Sequence, residues 1–439
     1  MEYTSQSSCA YITVLQSALK NRQSAVVRTN RNISDTADIM ANAILVLNAG
    51  SSSLKFAVFQ QKNGLPPLLR GNISSLDKNP EMKIMVGDST QANHVRLDIE
   101  SSDIERAMEL AVNEISNRSL TPAIQAVGHR IVHGGSEFTG PTVLDASVID
   151  KLLGLVPLAP MHQPRNLEII DGAAKAFPKA VQFGCFDTSF HFGRPRLATL
   201  YGLPRALEQE GLKAYGFHGI SYSYIASQLK SRHGAKAGGR VIVAHLGSGS
   251  SMCAMKGGKS VATTMGFSTL DGLLMGTRCG SIDPGIVLHL LQQRAMSVER
   301  VVEMLYNESG MLGVSGVSGD MQALIESDEP SAKEAVDLFV YRAGREIGSM
   351  AAALSGLDTL VFCAGIGENA PLIRQRIGEA ARWLGVEIDA QRNWRGDELI
   401  SASHSSVEVL VIPTDEEKAV AVELMKLPSE KLSASRANV

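Results

Sequence analysis

The sequence predicts an α/β protein built from two similar halves, each with a mixed sheet, and a ligand cleft shared between them. Three observations point there. Apolar runs of strand length alternate with helical patterns along the chain; two strand–Gly/Ser turn–strand hairpins turn at Asn48 and at His245; and a later apolar strand runs straight into Gly365-Ile366-Gly367-Glu368-Asn369. Alternating strands and helices mark layered α/β architecture. One construction used twice suggests duplicated halves facing a common ligand. A chain of 439 residues is also too long for one ordinary core and is expected to divide into two, of roughly 150–250 residues each.

Residues 1–40 mix charged and polar residues with short apolar pieces and lack the apolar core of a signal peptide. They are expected to be a disordered extension, with Met40 standing directly before the first strand. Ala43–Leu47 is an apolar run of strand length, followed by the tip Asn48-Ala49-Gly50-Ser51-Ser52-Ser53. Leu54, Phe56 and Val58 then alternate with Lys55 and Ala57, the period-two pattern of a second strand. Residues 103–116 and 147–156 read as helices and Ala126–Val132 as a strand. The second hairpin joins Val241–Ala244 to Met252–Met255 through His245-Leu246-Gly247-Ser248-Gly249-Ser250-Ser251. After the strand Thr359–Ala364 and its glycine turn, a helix is expected from Pro371, a first-turn proline, to about Leu384. The chain closes with a strand Val407–Ile412, the acidic turn Thr414-Asp415-Glu416-Glu417 and a helix through about Met425.

Composition removes several classes of function. A formal net charge of −3 offers no basic footprint for nucleic acid or anionic lipid. No apolar run approaches the roughly 20 residues that span a bilayer. The five cysteines, Cys9, Cys185, Cys253, Cys279 and Cys363, are scattered without zinc spacing, which suits a reducing compartment and predicts a cytoplasmic protein.

The residues that carry chemistry cluster in the glycine-rich turns. Gly/Ser hairpin tips let backbone N–H groups and short hydroxyls reach phosphate oxygens, and Lys55 adds a positive charge beside the first. Gly258-Lys259-Ser260 ends like a Walker A loop, but Cys253 stands where that loop needs its first glycine. Gly365-x-Gly367-x-x-Ala370 matches a relaxed dinucleotide fingerprint but lies near the end of the chain with no βαβ array after it, so a nucleoside packed on this turn is its better use. Arg130 and Arg278 sit in glycine-rich turns beside apolar strands, as bidentate anion binding requires. Asp187 ends an apolar strand among aromatics and reads as a catalytic or metal-linked acid, or else as a turn cap. Glu416 and Glu417 suit a helix N-terminus or a magnesium ion shared with phosphates. The histidines lack the spacing of a zinc site and are better used as hydrogen-bond donors to a charged transition state.

Leu47-Asn48-Ala49-Gly50-Ser51-Ser52-Ser53-Leu54-Lys55-Phe56 resembles the opening signature of the acetate kinase family. Gly128–Gly135, Pro157–His162, Phe186–His191, Tyr215–Gly219, His245–Ser251, Met265–Pro284 and Ala364–Asn369 resemble that family's further blocks, in order, between about residues 43 and 426. The resemblance implies two duplicated ribonuclease H-like (actin-like ATPase) domains: residues 41–190 with a C-terminal helix at about 421–432, and a nucleotide-binding domain over 191–420. It also implies a homodimer, ATP and acetate as substrates, and Mg2+ as the metal, with Mn2+ as a substitute.

By the same resemblance, Arg130 and Arg278 would hold the acceptor carboxylate and the transferring phosphoryl group, and His218 would donate to that group's oxygens. Arg278 and His218 would thus stabilise the transition state. Asn48 and Glu416 would position the metal, and Asp187 would orient Arg130 or the metal's water shell. His162 would hydrogen-bond in an acceptor pocket walled by Val132, Met161, Phe217 and Thr269. Ser51, Ser53, Lys55 and the loop His245, Leu246, Gly247, Ser248, Gly249 would meet the phosphates. Asp320, Met321, Gln322, Gly365, Ile366, Gly367, Glu368 and Asn369 would bind the nucleoside.

The chain departs from the family pattern at several points. Ser248 stands for a usual asparagine, Ile220-Ser221-Tyr222 for Thr-Ser-His, Thr269 for proline, Met161 for leucine, and Met321-Gln322 for Phe-Arg. The implied activity is an acetate kinase. A propionate or butyrate kinase is the near alternative and a non-catalytic actin-like ATP-binding protein the distant one.

Overall fold

Two mixed sheets organise the chain. The first has the order β5-β4-β3-β2-β1-β6-β8-β7 and the second β11-β10-β9-β12-β13. They are seen in a computed structural model that describes residues 42–428, except 51–52, 75, 77–79, 88, 90–92, 97–103, 119, 121–123 and 235–237, together with residue 432. The extension expected over residues 1–40 lies outside the described residues, as does Ser51.

In the first sheet the strands are β1 (Ala43–Ala49), β2 (Leu54–Gln60), β3 (Pro67–Ser74), β4 (Glu81–Val86), β5 (Asn93–Arg96), β6 (Ile124–Ile131), β7 (Thr142–Val143) and β8 (Val181–Phe186). In the second they are β9 (Arg240–His245), β10 (Ser251–Lys256), β11 (Lys259–Thr263), β12 (Thr359–Cys363) and β13 (Glu408–Val411). All seven residues of β1 are buried, as expected of a central strand covered on both faces.

The duplication read from the two hairpins is visible in the pairing. Along β3-β2-β1-β6-β8 the neighbours run antiparallel, antiparallel, parallel, parallel. The second sheet repeats that order and those directions along β11-β10-β9-β12-β13. In open α/β sheets ligands collect beyond the carboxyl ends of the strands. Here those ends carry Asn48 paired with Arg130, and His245 paired with Cys363.

Each sheet has its own core. Helices Ile104–Asn117 and Gln163–Ala176 bury Ala107, Ala111, Ile169 and Ala173 against the first. Helices Pro330–Leu354 and Pro371–Ala380 bury Phe339, Ile347, Ile373 and Ile377 against the second. The last helix, Glu416–Met425, follows β13 of the second sheet but packs Val420 and Leu424 against Ile44, Val46 and Phe183 of the first. It begins at 416 and not near 421, because the Asp415 side chain accepts from Lys418 N and caps it there. The Gly365–Asn369 turn is itself a short helix, Ala364–Asn369. The helix after it stops at Ala380, short of the expected Leu384, and a 3-10 turn covers Arg382–Leu384. Among the described residues no helix is long and apolar enough to cross a membrane.

Candidate active site

Between the ends of the two sheets lies a cavity of about 430 Å³, lined on one side by Gly50, Lys55, Arg130, Asp187, Glu416 and Glu417. Arg130 leaves the end of β6 and meets Asp187 just past β8 in a two-pronged contact, Nη2 to Oδ2 at 2.6 Å and Nε to Oδ1 at 3.2 Å. Its Nη1 donates to Asn48 Oδ1 at 3.2 Å. The other end of that amide, Nδ2, donates to Glu416 Oε2 at 2.9 Å and to Glu417 Oε1 at 2.7 Å. Asn48, 5% exposed and off the cavity wall, is therefore the joint that holds Arg130 and both glutamates in one arrangement.

The facing wall comes from Arg278, His218, His245, Gly247, Ser248, Gly249, Ala364, Gly365 and Glu368. Arg278 Nη1 donates to Thr269 O at 2.7 Å, and among the described residues no carboxylate pairs with it. His218 stands at φ +56°, a left-handed position that few non-glycine residues occupy. Gly219 follows because the chain there presses against Asp187, whose carbonyl would lie 2.0 Å from any added Cβ. Gly249 is required for a similar reason, since a Cβ would stand 2.6 Å from Arg278 Nη2 and 3.6 Å from His218 Nε2. His218 and His245 stack at 4.2 Å with 19° between their planes. His162, Val132, Phe217 and Thr269 close one end of the cavity, mostly with apolar surface.

Burial and charge set the protonation states. Burial, with help from Arg278 and Arg130, pushes His162 down to about 3. Burial pushes His245 down to about 4 despite Glu416, and holds His218 well below the usual histidine range. All three are neutral at pH 7. Burial works against Arg130, yet Asp187 and Glu416 outweigh it and raise this guanidinium. Burial pushes Asp187 upward; the two-pronged Arg130 contact opposes it and keeps the pair ionised at neutral pH. Arg278, largely out of water and beside Arg130, is lowered. Burial would raise Glu416, but Arg130, His245 and Lys55 together bring it below the usual range, while burial leaves Glu417 above it.

Two adjacent carboxylates on one amide, both facing the cavity, are a hard oxygen donor set of the kind that holds magnesium with substrate phosphates. The residues present therefore fit such an ion. Among the described residues no group of three or more His, Cys, Asp or Glu side chains is close enough to hold a metal alone, so phosphate oxygens and water would complete the sphere.

The cavity thus brings together Lys55, Arg130, Val132, His162, Asp187, Phe217, His218, His245, Gly247, Ser248, Gly249, Thr269, Arg278, Gly365, Glu368 and Glu416. Other expectations are corrected. Met161 is 40% exposed and off the cavity wall. Met321 is 3% exposed and packed in the second core with Leu324 and Phe339, so its thioether is not set against a base. Asp320 spends its carboxylate on Ala323 N as a helix cap, and the exposed Gln322 bonds Glu326. The Leu246 and Ile366 side chains point into the same core, and the two residues meet through Ile366 N to Leu246 O at 2.8 Å. Gly367 is buried, Asn369 turns its amide back on Gly365 O, and Ser53 O takes Gly50 N, so these residues shape turns and do not line the cavity. Cavity residues given no site role from the sequence are Gly50, Ala364 and Thr414, while Glu417 was left as helix start or metal ligand. The available signal for Glu417 was its place beside Glu416 in the first turn of a helix.

A model of the acetokinase family matches residues 43–422. Among curated relatives, the acetate kinase of Rhodopseudomonas palustris (strain TIE-1) is 48% identical over 394 residues, covering 88% of this chain and 99% of that one. The acetate kinase of Rickettsia felis is 42% identical over 387 residues, covering 88% and 100%. Among solved structures, a propionate kinase from Francisella tularensis superposes with a TM-score of 0.80 at 34% identity, covering 87% of this chain and 98% of that one. The acetate kinase of Porphyromonas gingivalis does so with a TM-score of 0.77 at 33% identity, covering 88% and 99%.

Proposed function

This chain belongs to the acetokinase family, and on that premise we propose that it is an acetate kinase, transferring the γ-phosphoryl group of ATP to acetate and reversing the reaction with acetyl phosphate and ADP. The observation that carries the reading is the convergence of Arg130, Arg278, His162 and His218 on one space closed by Val132 and Phe217. Acetate is ionised at neutral pH, so no general base is needed. One carboxylate oxygen forms the new bond to phosphorus as the bond to the ADP oxygen breaks, and no proton moves. The difficulty is to bring an anion to a polyphosphate. Arg130, aimed by Asp187 and Asn48, and Arg278, aimed by the Thr269 carbonyl, supply the positive charge. The two histidines add N–H dipoles where charge spreads over the equatorial oxygens. Glu416 and Glu417 would hold Mg2+, which when bound neutralises charge between the β- and γ-phosphates. Lys55, Ser248 and the Gly247–Gly249 backbone would meet the phosphates, and Gly365 with Glu368 the nucleoside side.

The two lobes of this reading are residues 41–190, joined by the last helix, and residues 191–415. A homodimer is supported by the helix Pro284–Gln292, which buries no residue although Ile286 and Leu288, two positions apart and so on opposite sides of it, are 51% and 53% exposed; a helix that is apolar all round and left uncovered marks an interaction surface. A cytoplasmic location agrees with Cys185, Cys253, Cys279 and Cys363 all being unpaired. Since Met161 does not close the acceptor end, propionate is the second acceptor we propose. Trapping acyl phosphate as its hydroxamate with C2 to C4 acids, with ADP release measured in parallel for those acids and for glycerol, tests the whole. Hydroxamate from acetate supports it. ADP release with glycerol alone, or no hydroxamate from any acid, refutes it.

A further inference from the structure

The two stacked histidines are backed by matching pairs of hydroxyls. Behind His218, Nδ1 lies 2.8 Å from Ser251 Oγ, and Ser251 Oγ lies 2.5 Å from the Tyr222 hydroxyl. Behind His245, Nδ1 lies 2.9 Å from Ser221 Oγ, and Ser221 Oγ lies 2.8 Å from Thr414 Oγ1. Tyr222, Ser221 and Ser251 are each 0% exposed. They sit side by side because Ser221 and Tyr222 are neighbours in the first turn of helix Gly219–His233, while Ser251 opens β10, opposite His245 at the end of β9.

Counting protons fixes the direction of the first chain. Among the described residues the Tyr222 hydroxyl has Ser251 as its one hydrogen-bond partner, and a buried donor left unmade is costly. The phenol therefore donates to Ser251. Ser251, having accepted, gives its own proton to the partner that remains, His218 Nδ1. That nitrogen is then an acceptor, and the ring proton sits on Nε2. Nε2 faces the cavity beside Gly249 and Arg278, as its 3.6 Å approach to a Cβ built on Gly249 indicates. The reverse direction would strand the phenol proton and turn a bare nitrogen lone pair toward phosphate oxygens. His245 is not fixed in the same way, because Thr414 lines the cavity and can turn its hydroxyl there, and Ser221 also meets the Cys363 thiol.

We infer that Tyr222 and Ser251 are positioning residues whose hydroxyls hold His218 as its Nε2–H tautomer, so that its ring N–H faces the transferring phosphoryl group. The consequence for turnover rests on the phosphoryl-transfer reading above; the tautomer does not.

The experiment is nitrogen-15 NMR of the full chain labelled at histidine, in the neutral pH range, with each ring assigned by its loss in His218→Gln or His245→Gln. The expected spectrum shows Nδ1 of His218 as the unprotonated nitrogen and Nε2 as the protonated one. In parallel, Ser251→Ala is expected to lower kcat about 10- to 100-fold with both KM values within about twofold, and Tyr222→Phe to lower it about 3- to 10-fold. Protonated Nδ1 on His218 in the unaltered chain overturns the relay, whatever the variants do. So does a folded Ser251→Ala enzyme that turns over within twofold of the original. An Nε2–H tautomer of His218 in a chain that makes no acyl phosphate from any acid would leave the relay standing and sink the kinase reading.

Discussion

Arg130 and Arg278 are expected to be alike in catalysis and opposite in stability. Replacing either with methionine, which keeps length and removes charge, should lower kcat by about 10²–10⁴, the range for losing a transition-state charge partner. Stability separates them. Arg130 is bonded to Asp187 and Asn48. Its removal leaves Asp187, 1% exposed, without its partner and beside Glu416 and Glu417. Breaking a buried pair from one side costs about 3–5 kcal/mol. Arg278 has one backbone carbonyl at 2.7 Å, no carboxylate among the described residues, and a charge that burial opposes. Removing it relieves a cost of desolvation, and about 1 kcal/mol of stabilisation is expected. Translated to thermal midpoints, Arg130→Met should fall by roughly 5 °C or more and Arg278→Met should rise by about 1–3 °C. Adding Asp187→Asn to Arg130→Met should recover much of the loss. Differential scanning calorimetry without ligands, run beside the hydroxylamine assay, measures both. If Arg278→Met melts lower than Arg130→Met, the account of which charge is paired is wrong.

Three further expectations follow from particular contacts. Glu417→Gln should raise the Mg2+ concentration for half-maximal rate about tenfold, because Glu417 shares the Asn48 amide with Glu416; an unchanged metal titration would return Glu417 to the role of a helix start. Met321→Ala should cost about 2–4 kcal/mol by opening the second core while leaving the GTP-to-ATP rate ratio within twofold, as urea unfolding and initial rates would show. His129 and His191, off the cavity wall, are pushed down by burial to about 4 and about 3. The folded chain therefore binds fewer protons than the unfolded one below pH 6.5. Their contribution, up to about 3 kcal/mol each, is complete above pH 6.5 and is lost as pH falls toward 4, so urea midpoints should drop over that window.

Much of the cavity was legible because its residues sit where backbone pattern and chemistry coincide. Arg130 and Asp187 close apolar strands; His218, Gly249 and Arg278 stand in glycine turns; and the two hairpins announce the duplicated sheets before any contact is known. What stayed hidden depends on side-chain direction. Met161 sits in a turn and Met321 opens the helix Met321–Glu326, yet one faces out and the other faces into a core, and no spacing rule separates those outcomes from pocket-lining. The importance of Glu417 depends on Asn48, 369 positions away. Ser251 read only as the last residue of a Gly/Ser turn and Ser221-Tyr222 only as a departure from the family pattern, since a relay exists only once β10 is laid beside the start of the helix. The strands β4 and β5 carry Lys83, His94 and Arg96 within short runs, which blurs the alternation that revealed β2.

The charge arrangement also explains why the site does not simply gather cations. An enzyme gains rate only from interactions stronger in the transition state than with bound substrates. Arg130 is already answered by Asp187, so this pair adds less net charge to the empty site than Arg278 does. Three further permanent charges on the facing wall would grip ATP and acetate too firmly before reaction and retain acetyl phosphate after it. Neutral His162, His218 and His245 avoid this. On the proposed reading their N–H dipoles would interact modestly with a ground-state phosphate and more strongly as negative charge spreads over the equatorial oxygens in flight. Burial holds those rings neutral, and the hydroxyls behind His218 would hold its proton on the cavity side. Arg278 is the one member of this wall with a full unpaired charge among the described residues. The stability it costs the empty protein is returned when an anion arrives between it and Arg130, which ties the chain's least stable arrangement to the absence of substrate.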